Sequence, residues 1–286
     1  MPRIGAPMQS FVFRTTFLAI AATGLTMWGD LSSLRAQDDV IKTTSTKSEV
    51  TDKPPIDEAH PLYKLLEVAY KSRKALETVV DYKCVFTKRE VLPNNKLLKT
   101  TMNLRLRESP FSVYLKFVDL NAGREVIYVE GLNNNNMLVH EAGLKSVLGT
   151  FPISPNGPDA LAENKYPVSR IGLRKMLNTV ITQWENEGKF AGITTQKYPD
   201  SKLSGQICTV YEAVHKQPFK EFKFHTTRLW IDDETGLAIG VQQYNFPGKH
   251  DKDPAIAEEY FYSQLKTNVQ LTDKDFDPRN PSYSFR

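Results

Sequence analysis

The sequence predicts an α+β protein, with a curved antiparallel sheet of about nine strands covered by two main helices. Three observations carry this. Between Thr101 and His140, apolar and polar residues alternate in four short runs separated by turn residues. A second series of alternating runs fills the stretch from Ile207 to Thr267. Two stretches with apolar residues at three- and four-residue steps flank the first series.

Met102, Leu104 and Leu106 alternate with Asn103, Arg105 and Arg107, and then Ser109-Pro110 breaks the run. Val113, Leu115 and Phe117 alternate with Ser112, Tyr114 and Lys116 up to Asn121-Ala122-Gly123. Glu125 to Glu130 and Met137 to His140 follow, parted by Gly131 and four asparagines. Period-two alternation places every second side chain on one face of a strand, and Gly, Asn and Pro supply the turns. Four consecutive strands with one apolar face need a cover.

The cover is legible on either side. From His60 to Val80, Leu62, Leu65, Leu66, Ala69, Tyr70 and Leu76 form the stripe of an amphipathic helix, with Pro61 in its first turn. Tyr82 to Glu90 then reads as a strand, with Tyr82, Cys84 and Phe86 on one face. Phe151 to Pro167 has four prolines and Asn156-Gly157 and reads as a long loop, a lid or binding segment. A second helix is expected from Arg170 to Glu187, with Leu173, Leu177, Val180, Ile181 and Trp184 on its apolar side. The last strands are expected near Ile207–His215, Phe222–Ile231, Ala238–Phe246 and Glu259–Thr267. A closed barrel suits this order less well, because two amphipathic helices must find room against the sheet.

The first 36 residues have the form of a secretory signal, with Arg3 and Arg14 ahead of an apolar run from Phe17 to Gly29 and cleavage expected near Ala36. An uncleaved anchor is the alternative. Residues 37–56, rich in Thr, Ser, Lys and Asp, read as a disordered spacer, and residues 57–286 as a single domain. The protein is therefore expected in the periplasm or otherwise exported. The formal net charge of +4 falls to about +2 beyond the signal, and no basic patch with interleaved aromatics suggests nucleic acid. Cys84 and Cys208 are the only cysteines. In an oxidising compartment they suggest one disulfide, the alternative being two buried thiols.

The motifs of serine hydrolases, zinc proteases, phosphate loops and dinucleotide sites are absent, and no catalytic residue, cofactor or metal is expected. His215 and His225 could meet across a hairpin, but the sequence places no third ligand. Asp232-Asp233-Glu234-Thr235-Gly236 reads as a hairpin turn, too short of oxygen ligands for calcium. Glu258 and Glu259 must point to opposite faces of their strand. Arg105 and Arg107 share a polar face, as a solvated surface or as an anionic headgroup site beside an apolar cavity; Arg124-Glu125 is of similar interest.

Three stretches carry a resemblance: Tyr82 to Glu90, Arg107 to Lys116, and Gly123 to Gly131. Together with Leu271 to Pro278, Asn280-Pro281 and Tyr283, they resemble the exported bacterial proteins known as domain of unknown function 1571. That resemblance implies no activity. Trp230 to Leu237 and the element order more distantly resemble the outer-membrane lipoprotein carriers of the LolA/LolB kind. This second resemblance implies an incomplete barrel closed by helices around a cavity for acyl chains. The leading expectation is a non-enzymatic binding protein for a lipid, acyl chain or lipoprotein, with transient contact at a membrane surface. Its lining would include Leu104, Val113, Leu115, Phe117 and Leu177. The rivals are a sensor or scaffold with a filled core that binds an envelope protein partner, and an envelope hydrolase.

Overall fold

The computed structural model describes residues 53–285. The expected signal sequence, its cleavage position and most of the expected spacer lie outside the described residues. Helix α1, Leu62–Leu76, starts directly after Pro61 and buries Leu62, Leu65, Leu66, Ala69, Tyr70 and Leu76. The first meander is β1 (Asp81–Val91), β2 (Leu97–Arg107), β3 (Ser112–Phe117), β4 (Glu125–Val129), β5 (Met137–His140) and β6 (Thr150–Ile153). Helix α2, Pro158–Leu161, is a single turn, and α3, Leu173–Glu187, is the second long helix. The second meander is β7 (Ile193–Leu203), β8 (Gln206–His215), β9 (Thr226–Asp232), β10 (Ala238–Tyr244) and β11 (Ile256–Thr267).

The eleven strands among the described residues form one open antiparallel sheet in the order β6-β5-β4-β3-β2-β1-β11-β10-β9-β8-β7. Each meander pairs with its sequence neighbours, and the last strand closes on the first. Phe86 faces Tyr262 across that seam, and Glu90 faces Glu258. Cross-strand register carries apolar rows over the inner face. Cys84, Leu104, Leu115, Val126, Val139 and Phe151 are successive partners from β1 to β6. Helix α1 packs on α3 and against β7, β8 and β10.

The start of α3 is fixed by the sheet. Its first backbone N–H groups have no side-chain cap of their own. Gly172 N–H donates to Tyr262 Oη at 3.0 Å, and Leu173 N–H donates to Tyr82 Oη at 3.0 Å. Two strand tyrosines thereby satisfy helix donors that would otherwise be orphaned. Gly172 has φ of +126°, and a Cβ there would meet Leu106 at 3.1 Å. A side chain there would be strained by the positive φ and would crowd Leu106 and the Tyr82 hydroxyl.

On the outer face, Tyr114, Ile127 and Val129 are covered by Phe276, Leu271, Tyr283 and Phe285 from the C-terminal segment. Tyr283 stacks on Tyr114 with ring centroids 4.1 Å apart. Gly240 of β10 lies under Phe261, and a Cβ added there would come within 2.2 Å of the ring. Gly240→Ala should therefore cost about 1–3 kcal/mol, read from the urea midpoint. Pairing it with Phe261→Ala should remove most of the interaction, whereas equal losses with and without Phe261 would discard this explanation.

Among the described residues, the structure corrects the expected count from about nine strands to eleven. The segment read as loop from Phe151 holds β6, whose Pro152 disguises it. Strand β7 has no counterpart among the expected strands, because it is an edge strand with little burial and Pro199 within it. The strand expected from Phe222 starts instead at Thr226, since Phe222 stacks on His215 at 3.9 Å. The helices start later than expected, at Leu62 and Leu173, and α1 ends at Leu76. The expected disulfide is also corrected, for Cys84 and Cys208 are free buried thiols. Their strands, β1 and β8, are separated by β11, β10 and β9. Four strand spacings of about 4.8 Å each exceed the reach of an S–S bond.

Candidate ligand cavity

Between the inner face of the sheet and α3 lies a cavity of about 350 Å³. Ligand sites commonly occupy about 300–1,000 Å³. Its apolar wall comes from alternate strand residues, Phe86, Met102, Leu115, Phe117, Val126 and Val139, and from Met176 and Val180 of α3. Positions separated by two along a strand share a face, and positions separated by four along a helix do the same. One stripe of each element therefore suffices to build the wall.

The opposite end is polar and closed by the segment that follows α2. Lys88 and Glu90 continue the inner face of β1 beyond Phe86. Their side chains are 8% and 3% exposed and pair at 2.8 Å. Lys88 Nζ also donates to Asn164 Oδ1 at 2.5 Å, and Glu90 Oε2 accepts from Lys165 N–H at 3.1 Å. Tyr260 Oη donates to Glu90 Oε1 at 2.7 Å, and Tyr166 Oη donates to Glu258 at 3.1 Å. The Lys165 ammonium pairs with the same Glu258. Burial, reinforced by the Glu90 and Glu258 charges, pushes both tyrosine hydroxyls upward, so they remain donors. Arg124 completes the closure by bridging Glu141 beyond β5 at 2.9 Å and Glu163 beyond α2 at 2.6 Å. Burial alone would lower its pKa, but the hydrogen bonds to Glu141 and Glu163 win and raise it.

These ties hold a covering segment over an apolar chamber, and the charges of its closure are matched within the protein. Cys84 is an inert neighbour, since burial pushes its thiol well up. Cys208 is likewise pushed up, to about 11, chiefly by burial.

Residues 79–285 match the family described as Protein of unknown function (DUF1571). The chain belongs to this family. The DUF1571 region begins just before β1 and contains every strand and α3, so the cavity's strand and α3 walls lie within it. No curated protein matches the chain. Similar solved structures include the lipoprotein LppX of Mycobacterium tuberculosis, at 14% identity and a TM-score of 0.44 over 75% of this chain and 98% of that one. The MucA/MucB complex of Pseudomonas aeruginosa follows at 13% identity and 0.42, over 75% and 60%. A LolA superfamily protein from Nitrosomonas europaea gives 9% identity and 0.30, over 73% and 96%.

Within the DUF1571 fold, Leu115 and Phe117 line the cavity. Leu104, Val113 and Leu177 are buried core residues on the same inner side, at 1%, 0% and 0% exposure. Arg105 and Arg107 do not line the cavity. They lie on the outer face, where Arg105 bonds Asp275 at 3.1 Å and Tyr283 Oη at 2.7 Å, and Arg107 bonds Asp273 at 2.7 Å. Glu258 faces the cavity, whereas Glu259 pairs with Arg89. His215 Nε2 lies 3.2 Å from Glu187 Oε2, and His225 Nδ1 contacts Thr226 Oγ1 at 2.7 Å. The Asp232 carboxylate accepts from Thr235 N–H at 3.1 Å and holds the hairpin turn.

Sequence reasoning placed Glu258 and Glu259 on opposite faces, as the structure has them, but gave Glu258 no role and did not single out Lys88, Glu90 or Tyr166. A signal for two of them existed. The alternation of Tyr82, Cys84 and Phe86 runs on to Lys88 and Glu90, which places two opposite charges on an inner face.

Proposed function

We propose that this protein is an exported, non-enzymatic carrier or holder of an apolar chain, such as the acyl chain of a lipid or lipoprotein. The cavity carries this reading. It has an apolar wall on sheet and helix, a covering segment held by polar ties, and a volume of about 350 Å³. Each methylene moved from water to such a wall gains about 0.8 kcal/mol, so binding needs no reactive group. The tyrosine and carboxylate groups at the closed end serve to hold the covering segment. The signal-like first 36 residues support export.

Native mass spectrometry of protein purified without detergent, followed by solvent extraction, tests this directly. The expected result is a stoichiometric apolar ligand, or uptake of a fluorescent fatty acid by the empty protein. Val126→Trp places an indole in the chamber and should weaken that uptake at least tenfold, with unchanged circular dichroism. An empty protein that takes up no fluorescent fatty acid would end this reading.

A further inference from the structure

The outer face of the sheet carries a groove that the cavity does not use. It has a volume of about 440 Å³ and crosses β11, β1, β2 and β3, with Ser282 and Tyr283 of the C-terminal segment in its lining. Lys83, Arg105, Lys116 and Lys266 line it, and none of its lining residues is acidic. Register sets three of these cations in a row. Lys266 on β11 is the direct partner of Lys83 on β1, and Lys83 is the direct partner of Arg105 on β2. Like charges placed directly across a ladder destabilise it. Two of the four cations are matched within the protein. Arg105 pairs with Asp275 at 3.1 Å, and Lys116 pairs with the wholly buried Glu125 at 3.0 Å. Lys83 and Lys266 are exposed, and neither pairs with a carboxylate among the described residues. Asp81, two residues before Lys83, is buried and spends its oxygens on the Val269 and Leu271 N–H groups, at 2.6 and 2.9 Å.

A bulge in β11 creates this row. Between Lys83 and Val85 the register slips, so that Lys83 faces Lys266 and Val85 faces Ser263. Gln264, within the slip, takes a φ of 53°, the left-handed region that residues with a side chain avoid. Tyr262 and Leu265 pack into the core, whereas Gln264 and Lys266 line the outer groove. Strict alternation from Tyr262 would carry both Gln264 and Lys266 to the inner face. The extra residue turns them outward instead, as bulges beside functional sites do. A repulsive row and a strained glutamine both work against the stability of the empty fold, and both converge on one groove. Departures from local rules of this kind concentrate at functional sites.

We propose that this groove binds a small multivalent oxyanion, a molecule with at least two phosphate or carboxylate groups, across Lys83 and Lys266. Adjacent strands stand about 4.8 Å apart, so two neighbouring anionic groups can each meet one ammonium. Lysine recognises phosphate and carboxylate as a point charge. The Asn103 and Gln264 amides and the Ser282 hydroxyl, all exposed in the same groove, offer hydrogen bonds to the remaining oxygens. Such a ligand removes the repulsion between Lys83 and Lys266 that the empty fold bears. The groove lies on the opposite face of the sheet from the cavity and owes nothing to the apolar-chain reading.

The test is isothermal titration calorimetry on the full chain, with tripolyphosphate and trigalacturonate as probes and acetate and maltotriose as controls. At least one probe should bind one to one and at least tenfold more tightly than acetate, and maltotriose should give no heat. Tripolyphosphate alone would mark a phosphate ligand, and trigalacturonate alone an acidic sugar. Lys83→Gln with Lys266→Gln should weaken binding at least tenfold, while the thermal midpoint of the empty protein holds or rises because a repulsion is gone. Gln264→Gly, which tolerates the positive φ, should weaken binding severalfold without lowering that midpoint. Lys197→Gln with Lys202→Gln removes the same charge from β7, at the edge of the sheet, and should leave binding within twofold. Failure of both probes to bind, or binding no tighter than acetate, would overturn the proposal. So would an unchanged affinity in the Lys83 and Lys266 variant, or an equal loss in the β7 variant, which would mark general charge attraction.

Discussion

Glu90→Leu is expected to lower stability by about 3–5 kcal/mol, the usual cost of stripping one partner from a buried ion pair. Glu90 is 2% exposed and accepts three hydrogen bonds, from Lys88 Nζ, Tyr260 Oη and Lys165 N–H. Leucine offers none of them an acceptor. Lys88 would remain a buried ammonium with only the Asn164 side chain and the Glu163 carbonyl for partners. Removing one carboxylate also relieves repulsion with Glu258, its cross-strand neighbour. That relief is small, because Lys165 and Tyr166 already cover the Glu258 charge. The double variant Lys88→Met with Glu90→Leu should recover most of the loss, since no uncompensated charge is left inside. Urea unfolding of both variants decides the matter. A single variant within 1 kcal/mol of the parent, or a double variant no better than the single, would mean that solvent reaches and screens the pair.

Trp184→Ala is expected to cost a similar amount, about 3–5 kcal/mol, through a different cause. Trp184 is the largest wholly buried side chain among the described residues, at 0% exposure near the end of α3. Its indole N–H has no hydrogen-bond partner among the described residues, so alanine removes contacts and leaves a void without breaking a polar tie. Trp184→Phe should lose clearly less. Two residues on the same helix, Met176 and Val180, line the cavity. Loosening the end of α3 should therefore weaken fatty-acid uptake along with the fall in thermal midpoint. A thermal midpoint close to the parent's would show that neighbouring side chains collapse into the space.

The strand meander and the two helical stripes were legible because burial on one face writes a period into the sequence. Met102, Leu104 and Leu106 could scarcely have belonged to anything but a half-buried strand. Strand β7 left no such trace, as an edge strand exposed over most of its length needs no apolar alternation. Its Pro199 and Asp200 form an irregularity in the ladder, which hides it further. The cavity was legible only in type. Leu115 and Leu104 are adjacent partners in one cross-strand row, yet only Leu115 lines the space, and no residue-by-residue pattern separates them. The position of Arg105 was set by something more distant still, a tyrosine 178 residues further on that covers the outer face.

The openness of the sheet has a consequence for self-association. A closed barrel would satisfy every strand, but it would have no side entrance for a ligand. An open one leaves two rims of unpaired peptide groups, each a template on which another chain could polymerise. Both rims here are poor templates. At one end β6 is four residues long and includes Pro152, which has no N–H to offer. At the other, β7 is interrupted between Tyr198 and Ser201, where Asp200 takes a φ of 55° and the strand kinks out of register. Lys197 and Lys202 add charge along the same border. The protein can thus leave its sheet unclosed and still discourage fibril-like growth from either side.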